Sequence, residues 1–180
     1  MTFTPGTYTL GPENGTLSVR TGRGGAAAKA GHDLLIEVGI WEGTLQLALD
    51  PAASSVTLTA DAGSMRVLNG TGGMTKLGEE DKDGIKQTIH QDILKGTAIA
   101  FESSAVRSTG AGLDVEGELE LLGRRAPVSF TLTVDDAGHL VADAKLKQTA
   151  WGIKPYSALF GTLKVADEVE VAVDAQLPAT

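Results

Sequence analysis

The sequence predicts an all-β, antiparallel fold, and two observations carry this prediction. Apolar and polar residues alternate at every second position, most regularly where Val128, Phe130, Leu132 and Val134 are separated by Ser and Thr. Such alternation is typical of a strand with one face buried and the other in water. Short segments rich in Gly, Asn, Asp and Pro separate the alternating stretches, and short connections make successive strands antiparallel neighbours.

Eight to ten stretches along the chain qualify as strands. In chain order they span residues 7–10, 17–19, 34–40, 45–49, 56–60, 99–103, 115–121, 128–134, 140–146 and 169–173. Turn signals fall at residues 13–15, 50–51, 109–112, 123–125 and 135–138. The pair Arg124-Arg125 therefore lies in a predicted turn, where we expect it to be solvated.

Residues 83–94 break the two-residue pattern and predict one short amphipathic helix. Ile85, Ile89 and Ile93 recur at every fourth position, which places them on one face of a helix. The predicted boundaries are an N-cap at Asp81 or Asp83, a stop at Gly96 and, before the helix, a loop over residues 69–78. We expect the helix to lie against the sheet or across one end of a barrel.

We expect the strands to form a closed, eight-stranded barrel in preference to a two-sheet sandwich. Apolar residues make up 42% of the chain, yet there are only four Phe, two Trp and two Tyr, so small aliphatic side chains must fill the inner positions. An eight-stranded barrel is filled by side chains or holds one slender ligand, and small side chains favour the ligand. No repeat or linker divides the sequence, so we predict a single domain over residues 1–180.

Charge and composition bear on partners and location. Lys and Arg number 15 against 23 Asp and Glu, a formal charge of −8, which repels phosphate backbones and anionic headgroups. Nucleic acids and membrane surfaces are therefore poor candidate partners. No apolar stretch approaches the ~20 residues that cross a bilayer, so we expect no membrane insertion. The sequence has no Cys and begins without the basic and apolar regions of a secretory leader, and we expect a cytoplasmic protein.

Two stretches superficially resemble ligand-binding motifs. Residues 22–27 have the glycine spacing of a dinucleotide-binding loop, but no helical stretch follows before Gly31. Residues 79–90 place acidic side chains at three positions of a calcium loop, but His90 stands where a bidentate Glu is needed. A flexible or bulged loop and a solvated acidic helix cap are the better interpretations. We expect neither a cofactor nor a metal.

The adjacent His32 and Asp33 are the best candidates for chemistry. A His beside a carboxylate at the start of a strand can orient a polar head group or act as a base; alternatively, His32 is simply hydrogen-bonded to a loop at the rim. The sequence contains no G-x-S-x-G motif and no Cys, so isolated Ser and Thr are the remaining nucleophiles. We expect a protein that is not an enzyme. The alternative is an enzyme acting on a lipid or small apolar substrate through this pair.

Several motifs in a fixed order resemble the YceI-like family of lipocalin-like, polyisoprenoid-binding proteins. Along the chain they are Gly6-x-Tyr8, Gly31-His32-Asp33, Ile99-x-Phe101-x-Ser103, Gly117-x-Leu119-x-Leu121-x-Gly123, Pro127-Val128, residues 148–157 with Trp151-Gly152-Ile153 at their centre, and Gly161-x-Leu163-Lys164-Val165-x-Asp167-x-Val169. The match extends over nearly the whole chain. The resemblance implies an antiparallel barrel around a tunnel for a long isoprenoid-type lipid, such as a polyprenyl phosphate or an isoprenoid quinone, and no catalytic residues.

On this basis we predict which side chains contact the apolar ligand. The predicted tunnel lining is Val19, Ile36, Val38, Phe101, Leu119, Leu121, Phe130, Leu132, Trp151, Ile153 and Phe160. For a head group near the rim, the candidates are Arg20, His32 and Lys154. Ordinary core packing is the alternative for each apolar residue, and a structural or interaction protein with a filled barrel is the alternative for the molecule. A homodimer is plausible for a small protein of this kind.

Overall fold

The computed structural model describes residues 4–178, which form a strongly curled, antiparallel sheet of twelve strands with one 15-residue helix. The strands are β1 (Gly6–Leu10), β2 (Gly15–Gly24), β3 (His32–Val38), β4 (Trp41–Leu47), β5 (Ser55–Asp61), β6 (Met65–Gly72), β7 (Ala98–Ser108), β8 (Leu113–Leu121), β9 (Arg124–Val134), β10 (His139–Lys147), β11 (Ser157–Ala158) and β12 (Leu163–Gln176). The helix comprises an α-helical part, α1 (Glu79–Gln87), and a π-helical part, Thr88–Ile93. The predicted all-β antiparallel class with one helix is confirmed. The predicted strand number of eight to ten is too low, because β6 and β11 are not among the predicted stretches.

Hydrogen bonds connect the strands in the order β1-β4-β5-β7-β8-β9-β10-β12-β2-β3-β6, and β11 pairs with β12. Strands β7 to β10 form a meander, as the short turn signals between them predict. Strand β12 then pairs with β2 along most of its length, which brings the end of the chain beside its beginning. The sheet thereby curls into a half-barrel with a concave inner face.

Two short connections link the strands at one end of the sheet, β4 and β5, to those at the other end, β3 and β6. The chain passes from β3 to β4 through Gly39 and Ile40, and from β5 to β6 through a 3-10 turn that ends at Ser64. The Gly39 N–H donates to the Ser64 carbonyl (3.2 Å), and the Asp61 N–H donates to the Ile40 carbonyl (3.0 Å). These two hydrogen bonds hold the β3–β4 and β5–β6 connections side by side. The chain therefore crosses twice at the same place between the two ends of the sheet, which curves around its concave face.

The alternation predicted from the sequence is visible in the burial of each strand. In β9, Ala126, Val128 and Leu132 are buried while Ser129 and Thr131 are exposed. One predicted inward residue is wrong: Leu49 lies beyond the end of β4 and is 92% exposed, because the chain turns at Asp50-Pro51. The same inward positions continue across neighbouring strands and form one apolar face.

The turn between β8 and β9 is tighter than predicted. Leu122 and Gly123 both have left-handed backbone conformations, with φ of 54° and 71°, which is the geometry of a two-residue hairpin turn. Arg124 and Arg125 therefore begin β9 and do not lie in the turn. Arg125 Nε donates to Glu120 across the hairpin at 2.9 Å.

The helix begins four residues earlier than predicted, at Glu79. Asp81 is not its N-cap residue; instead, the Asp81 carboxylate accepts the Gly78 N–H from within the first turn, at 2.9 Å. The predicted stop is confirmed, since the Gly96 N–H donates to the His90 carbonyl (2.9 Å) with a φ of 62°. The predicted loop over residues 69–78 is too long, because β6 continues to Gly72.

Candidate functional site

The concave face of the sheet encloses a cavity of about 830 Å³. Its wall consists mainly of the inward side chains of β2 to β5, β7 to β10 and β12, and both Trp41 and Trp151 lie on it. The helix supplies the remaining wall through Ile85, Ile89 and Ile93, so the four-residue spacing that predicts the helix also marks its inner face. These three residues are absent from the predicted lining, although their spacing could have identified them.

Ten of the eleven residues predicted to contact an apolar ligand lie on the wall of this cavity. They are Val19, Ile36, Val38, Phe101, Leu119, Leu121, Phe130, Leu132, Trp151 and Ile153. The period-two pattern accounts for this placement, because each residue occupies an inward position of its strand or of the turn after β10. That these side chains contact a ligand stays a prediction.

Phe160 is the exception, and its predicted inward position is wrong. Its side chain is fully exposed (109%) and does not line the cavity. Leu159 and Phe160 both have left-handed backbone conformations, with φ of 50° and 54°, so the loop before β12 turns outward here. A period-two pattern cannot be extended through such a loop.

Of the three predicted head-group residues, only His32 lies on the cavity wall. Arg20 is on the outer face of β2, where it forms an ion pair with Glu170 at 2.7 Å. Lys154 is exposed and lies outside the lining. The predicted position of Arg20 is therefore wrong, whereas a head-group role of Lys154, which lies in the loop after β10, stays a prediction. The cations that line the cavity are Arg23 and Lys164, and alternation from Val19 through Thr21 would have pointed to Arg23.

Arg23 is held in place at the cavity mouth. Its guanidinium donates to the Gly31 carbonyl at 2.6 Å, and its Nε lies 3.6 Å from the Asp33 carboxylate. The same carboxylate accepts the Arg23 backbone N–H at 3.0 Å. Gly72 permits this arrangement, because a Cβ at that position would collide with the guanidinium. The charge is thus fixed at the mouth, with 28% of the side chain exposed.

His32 lies beside Arg23 and contacts the loop that precedes the helix. Its Nε2 is 2.7 Å from the Thr75 carbonyl oxygen, and because a carbonyl only accepts, Nε2 carries the proton in this contact. A Cβ at Gly73 would collide with the His32 ring. The glycines at the end of β6 thus make room for both mouth side chains.

His32 and Asp33 do not face the cavity together. As neighbours on a strand they point to opposite faces: His32 lines the cavity, whereas the Asp33 carboxylate binds Arg23 outside the lining. The enzyme alternative requires both side chains at the cavity, and the structure does not bring them together there.

The turn after β10 positions Trp151 deep in the wall. The Trp151 indole N–H donates to the Leu119 carbonyl at 2.7 Å, and the ring is buried. Asp167 of β12 fixes the start of this turn by accepting both the Thr149 N–H (2.9 Å) and the Thr149 hydroxyl (2.7 Å). These bonds, the hydroxyl first, lower the pKa of the Asp167 carboxyl.

Two aromatic rings meet on the part of the wall formed by β7 and β9, where Phe101 lies opposite Leu119 in the register. Phe101 and Phe130 pack with their ring centroids 5.5 Å apart at a tilt of 54°. The Phe101 ring lies directly over Gly117, where an added Cβ would be 2.6 Å from the ring. The Ile99-x-Phe101 and Gly117-x-Leu119 motifs therefore form one packing unit.

The acidic segment that resembles a calcium loop is part of the helix. Glu79, Asp81 and Asp83 belong to α1, and a calcium loop has a non-helical backbone that wraps its ligands around the ion. Within residues 4–178, no group of three or more His, Asp or Glu side chains could hold a metal ion. No helix in the same range is long and apolar enough to cross a membrane.

Fold and site together define a protein with an antiparallel β half-barrel and an internal apolar cavity whose wall also carries Arg23, Lys164 and the carboxylates of Glu80 and Asp81. A family model of the YceI-like domain matches residues 8–177. The chain therefore belongs to the YceI-like family, as its motifs predict. A search of curated proteins found no match.

Proposed function

We propose that this protein binds a long, apolar, isoprenoid-type lipid inside its lipocalin-like, twelve-stranded half-barrel and stores or transports it without chemical change. The candidate ligands are polyprenyl phosphates and isoprenoid quinones. Membership of a family of generally non-catalytic binding proteins supports this proposal. The adjacent β3–β4 and β5–β6 connections support closure of the sheet around the ligand.

The size and lining of the cavity are the main support. An engineered cavity of about 150 Å³ holds one benzene ring, so the 830 Å³ here leaves room for roughly five times as many carbon atoms, about 30. Each CH₂ moved from water into such a site contributes about 0.8 kcal/mol. A chain of several isoprene units therefore binds without a charged clamp. A filled barrel, the structural alternative, would not contain this space.

The polar groups of the mouth favour an anionic head group. Arg23 and Lys164 both line the cavity there, and His32 lies beside Arg23. Glu80 and Asp81 of the helix line it as well, and the Asp81 carboxylate already accepts the Gly78 N–H. A guanidinium and an ammonium bind phosphate oxygens through charge-assisted hydrogen bonds. A quinone ring would use these donors less well, so a polyprenyl phosphate fits the mouth better than a quinone.

The first experiment identifies the ligand. Native mass spectrometry of the purified protein, followed by organic extraction, is expected to reveal a co-purifying isoprenoid-type lipid. The second experiment measures binding of a defined polyprenyl phosphate to Ala144→Trp, which places an indole in the cavity, and to the control Val141→Trp on the outer face of the same strand. We expect Ala144→Trp to lose binding and the control to keep it. Equal binding by both variants would contradict an internal site.

A further inference from the structure

Three loops surround the mouth of the cavity: residues 25–31, 73–78 and 152–164. Each contributes side chains to the cavity wall. The first and third loops are joined by the Ala27 N–H, which donates to the Thr162 carbonyl at 2.9 Å. The second is joined to β3 through the bond between His32 and Thr75. We call these three segments the mouth loops, and they form one continuous surface.

The mouth loops expose large apolar side chains. Among residues 4–178, seven large apolar side chains are exposed, and four of them lie in these loops. They are Met74 (82%), Tyr156 (50%), Leu159 (56%) and Phe160 (109%). Apolar side chains are thus concentrated at the end of the molecule where the cavity opens.

The backbone holds Phe160 in this exposed position against its own preference. Leu159, Phe160 and Gly161 have successive φ values of 50°, 54° and 83°, and this left-handed region is unfavourable for residues with a Cβ. Strained residues of this kind cluster at functional sites, where the surrounding structure holds them in place. An aromatic ring held in water by a strained backbone gains its favourable burial only from something outside the chain.

The charge of the mouth loops is opposite to that of the whole molecule. They contain Lys29, Lys76, Lys154 and Lys164 but no Asp or Glu, although the chain carries −8 overall. All four lysines are exposed, and within the described residues none is in an ion pair. The surface therefore combines an apolar tip with four unpaired cations.

The nearest carboxylates belong to the first turn of α1, and two of the three are already engaged. Glu79 pairs with Lys82 at 2.7 Å, and Asp81 accepts the Gly78 N–H. Glu80 remains beside the mouth. The mouth loops together with Arg23, which is paired with Asp33, thus keep an excess of positive charge.

We propose that the mouth loops dock on an anionic lipid bilayer, with Phe160 among the head groups and the four lysines against the lipid phosphates. Aromatic rings and cationic side chains are the residues that hold a protein at a bilayer surface. The net charge of −8 does not prevent this contact, because in physiological salt a charge acts only over about 8 Å. Docking would open the cavity directly onto the bilayer. This is a second property, in addition to the proposed binding of a lipid inside the cavity.

The test is flotation of the full chain with vesicles at low salt. We expect binding to vesicles of phosphatidylcholine with phosphatidylglycerol, weaker binding to phosphatidylcholine alone and release at high salt. Phe160→Ser should weaken binding at least about tenfold, and Lys154→Gln with Lys164→Gln about 30-fold. The controls are Leu49→Ser, an apolar position that is 92% exposed, and Lys95→Gln with Lys145→Gln, which removes the same charge outside the mouth loops although Lys145 pairs with Glu168; neither should change binding.

Phe160 makes no buried contact, so Phe160→Ser should keep the wild-type melting temperature and any loss of flotation can be assigned to the surface. Absence of wild-type flotation, or wild-type binding by Phe160→Ser, would overturn the proposal. So would self-association that Phe160→Ser abolishes in the absence of vesicles, because the surface would then bind protein. These vesicles contain no isoprenoid, so this result and that of the cargo experiment are independent.

Discussion

Single polar side chains near the end of the chain fix β12 against its neighbours. Asp167 is the clearest case, because it holds the Thr149 N–H and hydroxyl and thereby the turn that carries Trp151. His139 of β10 is a second case, with its Nε2 2.7 Å from the Asp174 carboxylate of β12. Both contacts join β12 to the strand or turn beside it, where the end of the chain is incorporated into the sheet.

Asp167→Ala should loosen the Trp151 turn. Without the carboxylate, two donors of Thr149 lose their partner, so we expect a lower melting temperature and a red shift of tryptophan fluorescence. Because the pKa of Asp167 is lowered in the fold, its contribution to stability is present above the ordinary carboxyl pKa and is lost as the pH falls through the lowered value. The melting temperatures of wild type and Asp167→Ala should therefore converge as the pH falls through the acidic range. A difference in melting temperature that stays constant with pH would contradict this role.

The His139–Asp174 contact should be visible in a proton NMR titration. The hydrogen bond to Asp174, followed by its charge, raises the pKa of His139, and Asp174→Asn should return that pKa towards its ordinary value of about 6.5. The contribution to stability is present below the ordinary pKa and is lost as the pH rises through the raised one. An unchanged His139 pKa in Asp174→Asn would show that the contact is not maintained in solution.

Sequence reasoning succeeds for residues inside regular strands and fails at their ends. Phe101 and Leu132 could be placed on the wall because two-residue alternation fixes the direction of each side chain. The same rule assigns Arg20 to the outer face and Arg23 to the cavity, so that error was avoidable. Phe160 is different, since two consecutive left-handed residues other than Gly give no signal in a sequence.

At the scale of elements, pairs of motifs act as packing units. Strands β7 and β8 meet where the Phe101 ring covers Gly117 and contacts Phe130 of β9. The absent side chain at Gly117 is thus as important to this part of the wall as the ring that covers it. Alternation predicts both strands, but it cannot show that a glycine on one accommodates a ring on the other.

Gly117→Ala should destabilise the fold by about 1–3 kcal/mol, because the added methyl group overpacks the site against the Phe101 ring and the Glu102 carbonyl. Urea unfolding measures the difference. Gly110→Ala is the matched control, since nothing lies within 4 Å of its Cβ position, and it should stay within about 0.5 kcal/mol of wild type. Equal effects of the two substitutions would show that the Phe101 ring does not need the space above Gly117.

The helix boundary shows how local signals compete. The isoleucine spacing identifies the inner face, yet the first turn consists of Glu79, Glu80 and Asp81, which have no apolar periodicity. Acidic residues stabilise the first turn of a helix through its dipole, and they extend the helix beyond its apolar part. Similarly, β6 continues to Gly72 because its glycines make room for Arg23, a tertiary contact that the sequence does not reveal.

At the scale of the molecule, the empty cavity lowers the free energy of unfolding, and a bound ligand can restore it. An apolar wall that borders empty space lacks the dispersion contacts of a packed core. A ligand that binds the folded chain alone stabilises it by mass action. The occupied protein should therefore be more stable than the empty one.

Removal of the lipid by organic extraction and refolding should lower the melting temperature. Adding polyprenyl phosphate at 100 times its dissociation constant should restore about 2.7 kcal/mol. Calorimetry measures both changes, and Ala144→Trp is the control that should gain nothing from the lipid. Equal stabilisation of Ala144→Trp would place the lipid outside the cavity.

Trp41 and Trp151 are the only two tryptophans of the chain, and both border the cavity. Emission from an indole shifts with the polarity and packing around it, so we expect loading of the cavity to change the emission of these two buried side chains. The tryptophan fluorescence of the unmodified protein should therefore report whether the cavity is occupied. Uptake and release of cargo can be followed in real time without attaching a dye.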